Sequence, residues 1–449
     1  MMSMKTNTMN LRPTISMSLC VLAAVALHAD PAANWHQWRG PEGSGFAPEA
    51  NPPLEWSESQ NVKWKVELPG SGASTPIIWN DKVFILTAVP TGETVETGES
   101  TDDGDQGNRR RRQAPQEIQQ FAVVCLDRNT GKVLWNKVAR EQLPHEGHHR
   151  DHGFASASPV TDGEHLFAFF GSRGLYAFDM EGNLKWEVDF GDMNTRNSFG
   201  EGTSPALYED TLVVVWDHEG NDDFVVAVDK SNGKELWRTA RSEGTSWTTP
   251  VFAEVNGKPQ VIVAGATAVI GYDLKTGEEV WRGPGLTANV VPTPIVDDGV
   301  VYAMSGFRGA ALQAIKLGAT GNLDGTDAIL WSYNRNTPYV PSGTLVDEYL
   351  YFSSGNNSIL TCLDARTGNA HFAEERLEGL SGIYSSFVAT DDHVFVLGRN
   401  GACLVLEKGP ELKIVQSNTL DDEITASMAL AGDEVFIRGN KYLYCIAKN

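Results

Sequence analysis

The chain has 449 residues, of which 58 are acidic and 36 are basic, so its formal net charge is -22. Such a charge repels nucleic acids and anionic lipid surfaces at long range, which excludes nucleic-acid binding as an expected function. The length exceeds that of one simple core, but repeat proteins reach this size because each unit buries its apolar face against its neighbours.

Residues 1–29 have the pattern of a secretory signal peptide. Lys5 and Arg12 supply the positive charge, Ile15 to Leu27 form the apolar stretch, and Ala29 ends a small-residue cleavage site. The apolar stretch is shorter than the roughly 20 residues that span a bilayer. We therefore expect a periplasmic or secreted protein that begins near Asp30 and has no transmembrane anchor.

A pattern of Asp, a turn containing Gly, and then Trp recurs along the chain, and Asp127 to Trp135 is its clearest copy. From Trp135 to Phe372 the copies are 41 to 51 residues apart, which is the length of a four-stranded propeller blade. The other copies are Asp179 to Trp186, Asp229 to Trp237, Asp273 to Trp281, a stretched copy ending at Trp331, Asp364 to Phe372, and a degenerate copy from Glu407 to about Val415.

The segments between these turns alternate or run briefly apolar, as β-strands do. Asp and Gly are typical of the tight hairpin turn, and the Trp that follows is expected to pack between adjacent blades. One further copy, at Trp64, precedes any complete blade, while the last unit lacks a Trp strand. Together these patterns predict an all-β, eight-bladed β-propeller of four-stranded antiparallel blades over 62–449, its ring closed by the N-terminal strand around Trp64.

The residue two positions before the Asp is small in nearly every copy, and in three copies it is Cys125, Cys362 or Cys445. Equivalent positions in different blades are too far apart for disulfides, so these residues and Cys403 are predicted to be free, buried thiols. Residues 30–61 are expected to form an N-terminal extension. Residues 90–116 are expected to be a disordered, charged insertion.

The Asp-x-x-Thr-Gly-x-x-x-Trp units resemble the quinoprotein-type (PQQ-like) propeller repeat. Proteins with this repeat include quinoprotein alcohol dehydrogenases, which use pyrroloquinoline quinone (PQQ), and outer-membrane assembly lipoproteins of the BamB type. The sequence from Trp35 to Pro41 is also similar to the start of exported PQQ-like repeat proteins of planctomycetes. The resemblance implies a propeller face that recognises partners, or else a PQQ and calcium site.

Quinoprotein dehydrogenases hold PQQ between a Trp and a disulfide of two adjacent cysteines, beside calcium. This chain has no adjacent cysteine pair and no Cys-x-x-Cys-His haem site. The resemblance therefore favours a noncatalytic, monomeric binding or scaffolding protein for a protein or polysaccharide partner. A PQQ-dependent or metal-dependent enzyme is the alternative.

Four of the ten histidines lie between residues 145 and 152. Neutral imidazole is a good ligand for transition metals, so His145, His149 and His152 are candidate metal ligands, with Glu201 or Asp217 completing the site. His145-Glu146-Gly147-His148-His149 also satisfies the zinc-protease pattern HExxH. Pro144 and Gly147 make the helix that this pattern requires improbable.

Loops that precede the inner strands of a propeller converge at one mouth of the ring. Residues remote in sequence are therefore expected to meet there in a polar, partly aromatic pocket. The candidate mouth residues are Arg196, Glu201, Asp217, His218 and Trp247. The alternative interpretation is that they are ordinary loop residues.

Overall fold

The computed structural model describes residues 33–95, 115–220 and 222–448. Their strands form eight antiparallel sheets of four strands each, and one of these sheets carries a fifth, parallel strand. The predicted eight-bladed propeller is confirmed. From the inner to the outer strand, blade 1 has β2 (Ile77–Trp79), β3 (Lys82–Thr94), β4 (Glu117–Asp127) and β5 (Val133–Gln142); blade 2 has β6 (Val160–Thr161), β7 (His165–Phe169), β8 (Leu175–Asp179) and β9 (Leu184–Val188); and blade 3 has β10 (Ala206–Tyr208), β11 (Thr211–Trp216), β12 (Phe224–Asp229) and β13 (Glu235–Ala240). Blade 4 has β14 (Val251–Val255), β15 (Lys258–Val263), β16 (Ala268–Asp273) and β17 (Glu279–Pro284), with β21 (Gly321–Asn322) beside β17; blade 5 has β18 (Ile295–Asp297), β19 (Val300–Ser305), β20 (Ala311–Lys316) and β22 (Ile329–Tyr333); and blade 6 has β23 (Thr344–Val346), β24 (Tyr349–Ser353), β25 (Ile359–Asp364) and β26 (Ala370–Arg376). Blade 7 has β27 (Val388–Ala389), β28 (His393–Leu397), β29 (Ala402–Glu407) and β30 (Ile414–Thr419), and blade 8 has β31 (Ala429–Ala431), β32 (Glu434–Arg438), β33 (Tyr442–Ala447) and β1 (Val62–Glu67).

The ring is closed by β1, as predicted, because β1 is the outer strand of blade 8. It pairs antiparallel with β33, and Trp64 lies opposite Cys445. The seam between blades 8 and 1 is polar as well as apolar. Glu434 accepts hydrogen bonds from Arg128 and Lys63, each at 2.6 Å. Arg438, fully buried, donates across the seam to Ser74 Oγ at 2.9 Å.

The Asp-x-x-Thr-Gly turns each receive the Trp of the preceding blade. In blade 1, Asp127 Oδ1 accepts from the Thr130 amide and hydroxyl, and Gly131 adopts a φ of +70°. Trp64 of blade 8 donates its indole N–H to the Arg128 carbonyl at 2.8 Å. The same Trp-to-turn bond joins blade 1 to 2, 2 to 3, 3 to 4, and 5 to 6. The prediction that Trp packs between blades is thus confirmed.

Two units depart from this pattern because their turns differ in length. The stretched turn of blade 5 contains β21, which pairs with β17, and the indole of Trp281 bonds to Gln260 within its own blade. In blade 7 the turn is one residue longer, so Gln416 lies opposite Val405. The assignment of Val415 to the Trp position is therefore corrected to Gln416.

Gly131→Ala is expected to destabilise the protein more than Gly299→Ala. Both glycines have φ near +70°, so both substitutions carry the same backbone strain. A Cβ on Gly131 would lie 2.7 Å from the Trp64 ring, whereas a Cβ on Gly299 meets nothing within 4 Å. We expect an additional loss of about 1–3 kcal/mol for Gly131→Ala, measured by chemical denaturation. Equal losses would show that the indole contact does not require glycine.

The small residue two positions before the Asp faces the Trp of its own blade. Cys125 lies opposite Trp135, and Cys362 lies opposite Phe372. Cys445 and Cys403 are also within strands, and all four are buried, free thiols, as predicted. Burial raises the pKa of the Cys125 thiol to about 12, so it stays protonated and unreactive.

The predicted charged insertion begins later than the sequence suggested. Pro90 and Thr94 belong to β3, and a register shift separates their pairings with β4. Proline is tolerated there because the ladder is interrupted, so its missing N–H costs little. Residues 96–114 of the insertion and the predicted signal peptide lie outside the described residues.

The N-terminal segment (33–61) crosses one face of the ring, on which the Asp-x-x-Thr-Gly turns lie. Trp35 pairs with Ile78 of blade 1, and Trp38 donates its indole N–H to Thr293 of blade 5 at 2.9 Å. Blades 1 and 5 are opposite in an eight-membered ring. The segment therefore crosses the axis and covers this face, which we call the turn face. The opposite end of the ring is the mouth face.

Candidate functional site

A cavity of about 330 Å³ lies on the propeller axis. Its lining residues come from all eight blades and from the N-terminal segment, mostly at positions that precede the inner strands. They are Trp38, Ala73, His149, Asp151, His152, Ser156, Phe199, Gly202, Ser204, Trp247, Thr249, Val291, Thr293, Phe307, Tyr339, Val340, Ser342, Tyr384, Ser386, Thr425 and Ser427. This axial cavity is the candidate functional site.

A belt of Ser and Thr residues, one from each blade, surrounds the axis at the base of the cavity. In most blades the amide N–H of the belt residue donates to the hydroxyl of the next blade's belt residue, at 2.9–3.1 Å. The belt residues are Thr75, Ser158, Ser204, Thr249, Thr293, Ser342, Ser386 and Ser427. These bonds join the inner strands of neighbouring blades, and six of the eight belt residues line the cavity.

The N-terminal segment closes the cavity at the turn face. Trp38, half-buried, lies in the cavity lining and bonds to the belt residue Thr293. The next residue, Arg39, is buried and donates to the carbonyls of Phe387, Gly343 and Ser44. Burial lowers the pKa of Arg39 to about 9. The axial cavity is therefore a blind pocket that opens toward the mouth face.

The walls of the cavity are aromatic. Tyr339 and Phe307 stack with ring centroids 4.8 Å apart, and both are half-buried. On the other side, Trp247 donates its indole N–H to the Gly200 carbonyl at 2.7 Å, which fixes the ring. Aromatic rings fixed in this way offer flat apolar faces to a ligand.

His152 adds a neutral polar group to this wall. Burial lowers the pKa of His152 to about 4, so the imidazole is uncharged near neutral pH. Its Nδ1 lies 2.8 Å from the Gly153 carbonyl oxygen and 2.9 Å from the Gly153 amide nitrogen, so it can donate to the first or accept from the second. A Cβ on Gly202 would lie 3.1 Å from Nε2 and 3.4 Å from the Trp247 ring. His152 Nε2 and Trp247 therefore meet at the cavity wall.

Asp151 is the only acidic residue among the described lining residues, and it is paired. Arg399 donates to it at 3.0 Å, and the Tyr384 hydroxyl donates to it at 3.2 Å. Arg399 nearby holds the pKa of the Asp151 carboxyl below its usual value, although burial opposes this. No Lys or Arg is part of the described cavity lining.

The predicted metal ligands are divided between two places. His149 and His152 line the axial cavity. His145 lies beside it with Glu146 and Glu201, and one ligand atom from each of these three lies within 4.8 Å of the others. Burial raises the pKa of Glu201 to about 7. A cavity of about 30 Å³, large enough for one water molecule, adjoins this cluster.

The groups of this cluster also bond to their surroundings. Ser172 donates its amide N–H and its hydroxyl to Glu201, and Thr195 donates to Glu146. His145 Nε2 lies 2.6 Å from the Met193 carbonyl, to which it can donate. A bound metal would therefore have to replace some of these hydrogen bonds.

Of the other candidate mouth residues, only Trp247 is part of the described lining of the axial cavity. Asp217 is buried in an ion pair with Arg241 at 2.7 Å, and neither side chain is exposed. His218 is also buried, and its Nδ1 accepts from the Gly220 amide at 3.2 Å. Arg196 is half-buried in the short 3-10 turn Arg196–Ser198, outside the cavity lining.

Sequence reasoning missed most of the cavity lining, including Trp38, Phe199, Phe307, Tyr339 and Tyr384. One signal was visible. In five blades the belt Ser or Thr stands directly before Pro at the start of the inner strand, as in Ser158-Pro159. A polar residue recurring at one blade position predicts a polar ring on the axis, just as the Trp recurrence predicts contacts between blades.

Together, the eight blades, the Trp-to-turn contacts and the axial cavity define the class of PQQ-like β-propellers. A family model described as "Outer membrane protein assembly factor BamB" matches residues 119–221 and 221–449, and the chain belongs to this family. No helix within the described ranges is long and apolar enough to cross a membrane.

Individual relatives agree with this assignment. The chain is 23% identical to the outer membrane protein assembly factor BamB of Shewanella oneidensis over 299 residues, 63% of this chain and 66% of that protein, just under two thirds of its length. The structure of BamB from Moraxella catarrhalis matches with a TM-score of 0.55 and 13% identity, covering 86% of this chain and 96% of that one. The quinohemoprotein alcohol dehydrogenase of Comamonas testosteroni matches with a TM-score of 0.62 and 9% identity, covering 94% and 82%. At these identities the structural matches establish the fold.

Proposed function

We propose that this protein is an exported, noncatalytic binding propeller that takes up a protein or glycan partner at its mouth face. The observation that carries the proposal is the blind axial cavity, whose walls are fixed aromatic rings and whose base is a belt of hydroxyl groups. Preformed concave sites of this kind, mainly apolar with a few convergent polar groups, are typical of binding sites.

The relatives support the same class of function. Two relatives, of Shewanella oneidensis and Kangiella koreensis, are described as outer membrane protein assembly factors, a role that involves protein partners. Such a role supports a location in the periplasm or outside the cell, which is also what the signal-peptide pattern of residues 1–29 predicts. We propose the same location for this chain, as a monomer.

The axial cavity does not fit PQQ, the cofactor that the quinoprotein fold implies. PQQ carries three carboxylates, and a buried anion requires cationic partners. The described lining offers no Lys or Arg, and its acidic residue Asp151 already occupies the nearby Arg399. The four thiols of the described chain lie inside strands rather than at the cavity, so they cannot form the adjacent-cysteine disulfide.

The proposal is tested by partner capture with the full-length mature protein. A mouth-face variant, Phe307→Asp with Tyr339→Asp, is compared with a turn-face control, Lys132→Ala, on immobilised protein exposed to periplasmic extract. We expect the wild type and the control to retain the same partner and the mouth-face variant to lose it. If the mouth-face variant retains the partner as well as the wild type does, the proposal is contradicted. Dye-linked alcohol oxidation after addition of PQQ and calcium would also contradict it.

The His145, Glu146 and Glu201 cluster favours a second candidate, a metal-dependent function. Imidazole and carboxylates at this spacing are suitable ligands for zinc or another transition metal. We expect near-stoichiometric metal after dialysis in the wild type and in His149→Ala, and loss of metal in His145→Ala. The affinity for the metal should decrease as the pH is lowered, because imidazole must be neutral to bind the metal. Equal, negligible metal in all three proteins excludes this candidate.

A further inference from the structure

We infer that the axial cavity binds the end of a neutral saccharide. This inference rests on the proposed function and names the chemical class of its ligand. Three properties of the cavity support it: the aromatic walls, the hydroxyl belt, and the lack of an unpaired charge in the described lining. Each property matches a different part of a sugar ring.

The aromatic walls match the apolar faces of sugar rings, on which C–H groups are clustered. Trp247 and the stacked pair of Tyr339 and Phe307 present such surfaces from blades 4, 6 and 5. Trp247 is held by its bond to the Gly200 carbonyl, and Phe307 is held by Tyr339, so little conformational entropy is lost when a ligand packs against them.

The hydroxyl belt matches the edges of sugar rings, where hydroxyl groups both donate and accept. Ser204, Thr249, Ser342, Ser386 and Ser427 line the cavity, and each accepts a backbone N–H from the preceding blade. Ser342 and Ser386, for example, keep the O–H for a ligand. A hydroxyl both donates and accepts, so this lining suits a ligand with the same dual character.

The same belt disfavours recognition of a peptide backbone. Peptides are commonly bound by backbone hydrogen bonds to a free strand edge. Here the amide N–H groups of Thr75, Ser158, Ser204, Ser342 and Ser386 already donate to the neighbouring blade. The cavity therefore offers side-chain hydroxyls and aromatic faces rather than a backbone ladder.

The charge of the lining disfavours an anionic ligand. Asp151, the acidic lining residue, is engaged by Arg399 and Tyr384. His152 presents its Nε2 atom at the wall beside Trp247. The volume of about 330 Å³ is at the lower end of the range of roughly 300–1,000 Å³ that ligand sites occupy. That size suits one or two sugar rings, with any longer chain leaving through the mouth face.

The test uses the full-length mature protein on an array of neutral and acidic glycans, followed by isothermal titration with the best neutral glycan, with digalacturonic acid and with PQQ. We expect one-to-one binding of a neutral glycan and at least about tenfold weaker binding of both anions. Retention of no neutral glycan, or tighter binding of either anion, overturns the inference.

Variants place the ligand in the cavity. Tyr339→Ala removes one aromatic wall, and we expect about a tenfold loss of affinity for the glycan. Trp247→Phe keeps an aromatic ring but loses the hydrogen bond to the Gly200 carbonyl, so we expect a smaller loss. Leu184→Ala, at an exposed outer-strand position, is the control and should bind as the wild type does. Melting curves verify that each variant is folded. If none of the cavity variants changes the affinity for the glycan, the inference is overturned.

The failure of this inference is distinguishable from the failure of the proposed function. If the array retains no glycan but a protein partner is captured and then lost in the Phe307→Asp, Tyr339→Asp variant, the mouth face binds protein, and only the saccharide is wrong. If neither partner depends on the mouth face, the proposed function itself is wrong.

Discussion

A chain that begins at Gly70 is expected to aggregate and to melt at a much lower temperature than one that begins at Asp30. Without β1, blade 8 has three strands, and β33 exposes an unpaired edge that can pair with other molecules. The loss of Trp64, which is 8% exposed and packs against Phe436, costs about 3–5 kcal/mol by itself. Calorimetry and light scattering measure both effects.

A second truncation separates the two parts that this deletion removes. A chain beginning at Gln60 keeps β1 but lacks most of the N-terminal segment, so it should keep the closed ring and melt between the other two. If the chain beginning at Gly70 has the same melting temperature as the longest chain, the ring does not depend on β1. If it has the same melting temperature as the chain beginning at Gln60, the N-terminal segment provides all of the stabilisation.

Arg39→Met is expected to lower the free energy of unfolding by on the order of 3 kcal/mol, because three buried carbonyls lose their donor. The loss is smaller than that of three charge-assisted bonds, since the substitution also removes the cost of burying a cation. Within the described chain Arg39 forms no ion pair, and burial alone lowers its pKa. The measurement is urea denaturation, with the exposed Arg308→Met as control.

The same substitution should loosen the base of the axial cavity. Trp38 is adjacent to Arg39 in sequence, so its bond to Thr293 depends on the position of the N-terminal segment. We expect faster proteolytic cleavage within residues 33–61 in Arg39→Met than in the wild type, while the blades remain resistant. Unchanged cleavage together with unchanged stability would mean that Arg39 does not hold the segment in place.

The blades could be predicted because each repeat carries two independent signals. The Asp and Gly determine a local hairpin turn. The Trp indicates where the blade contacts the next blade. Even the closing strand was visible, since Trp64 had no blade of its own. The error at Val415 arose where the turn gained one residue and the Trp was replaced by Gln416.

The candidate site was harder to predict because it is assembled around the axis from single residues of many blades. Trp247 was identified, but the other aromatic wall residues Phe307 and Tyr339 lie in loops with no repeat signal. Asp217 has the appearance of a mouth residue in sequence, yet its ion pair with Arg241 buries it. The role of Trp38 depends on the path of the N-terminal segment across the ring, which no local pattern records.

The position of β1 in the last blade has a consequence for the order of folding. The belt bonds and the Trp-to-turn contacts within the ring mostly join neighbours that are about one repeat apart, so blades can form successively as the chain is synthesised. The bond between Lys63 and Glu434 joins residues 371 positions apart, and it cannot form until the last blade exists. Because the entropy cost of closing a loop grows only slowly with its length, this late step is thermodynamically feasible. Until it occurs, the nascent ring carries two open edges, and this is the interval in which a chaperone would be most needed.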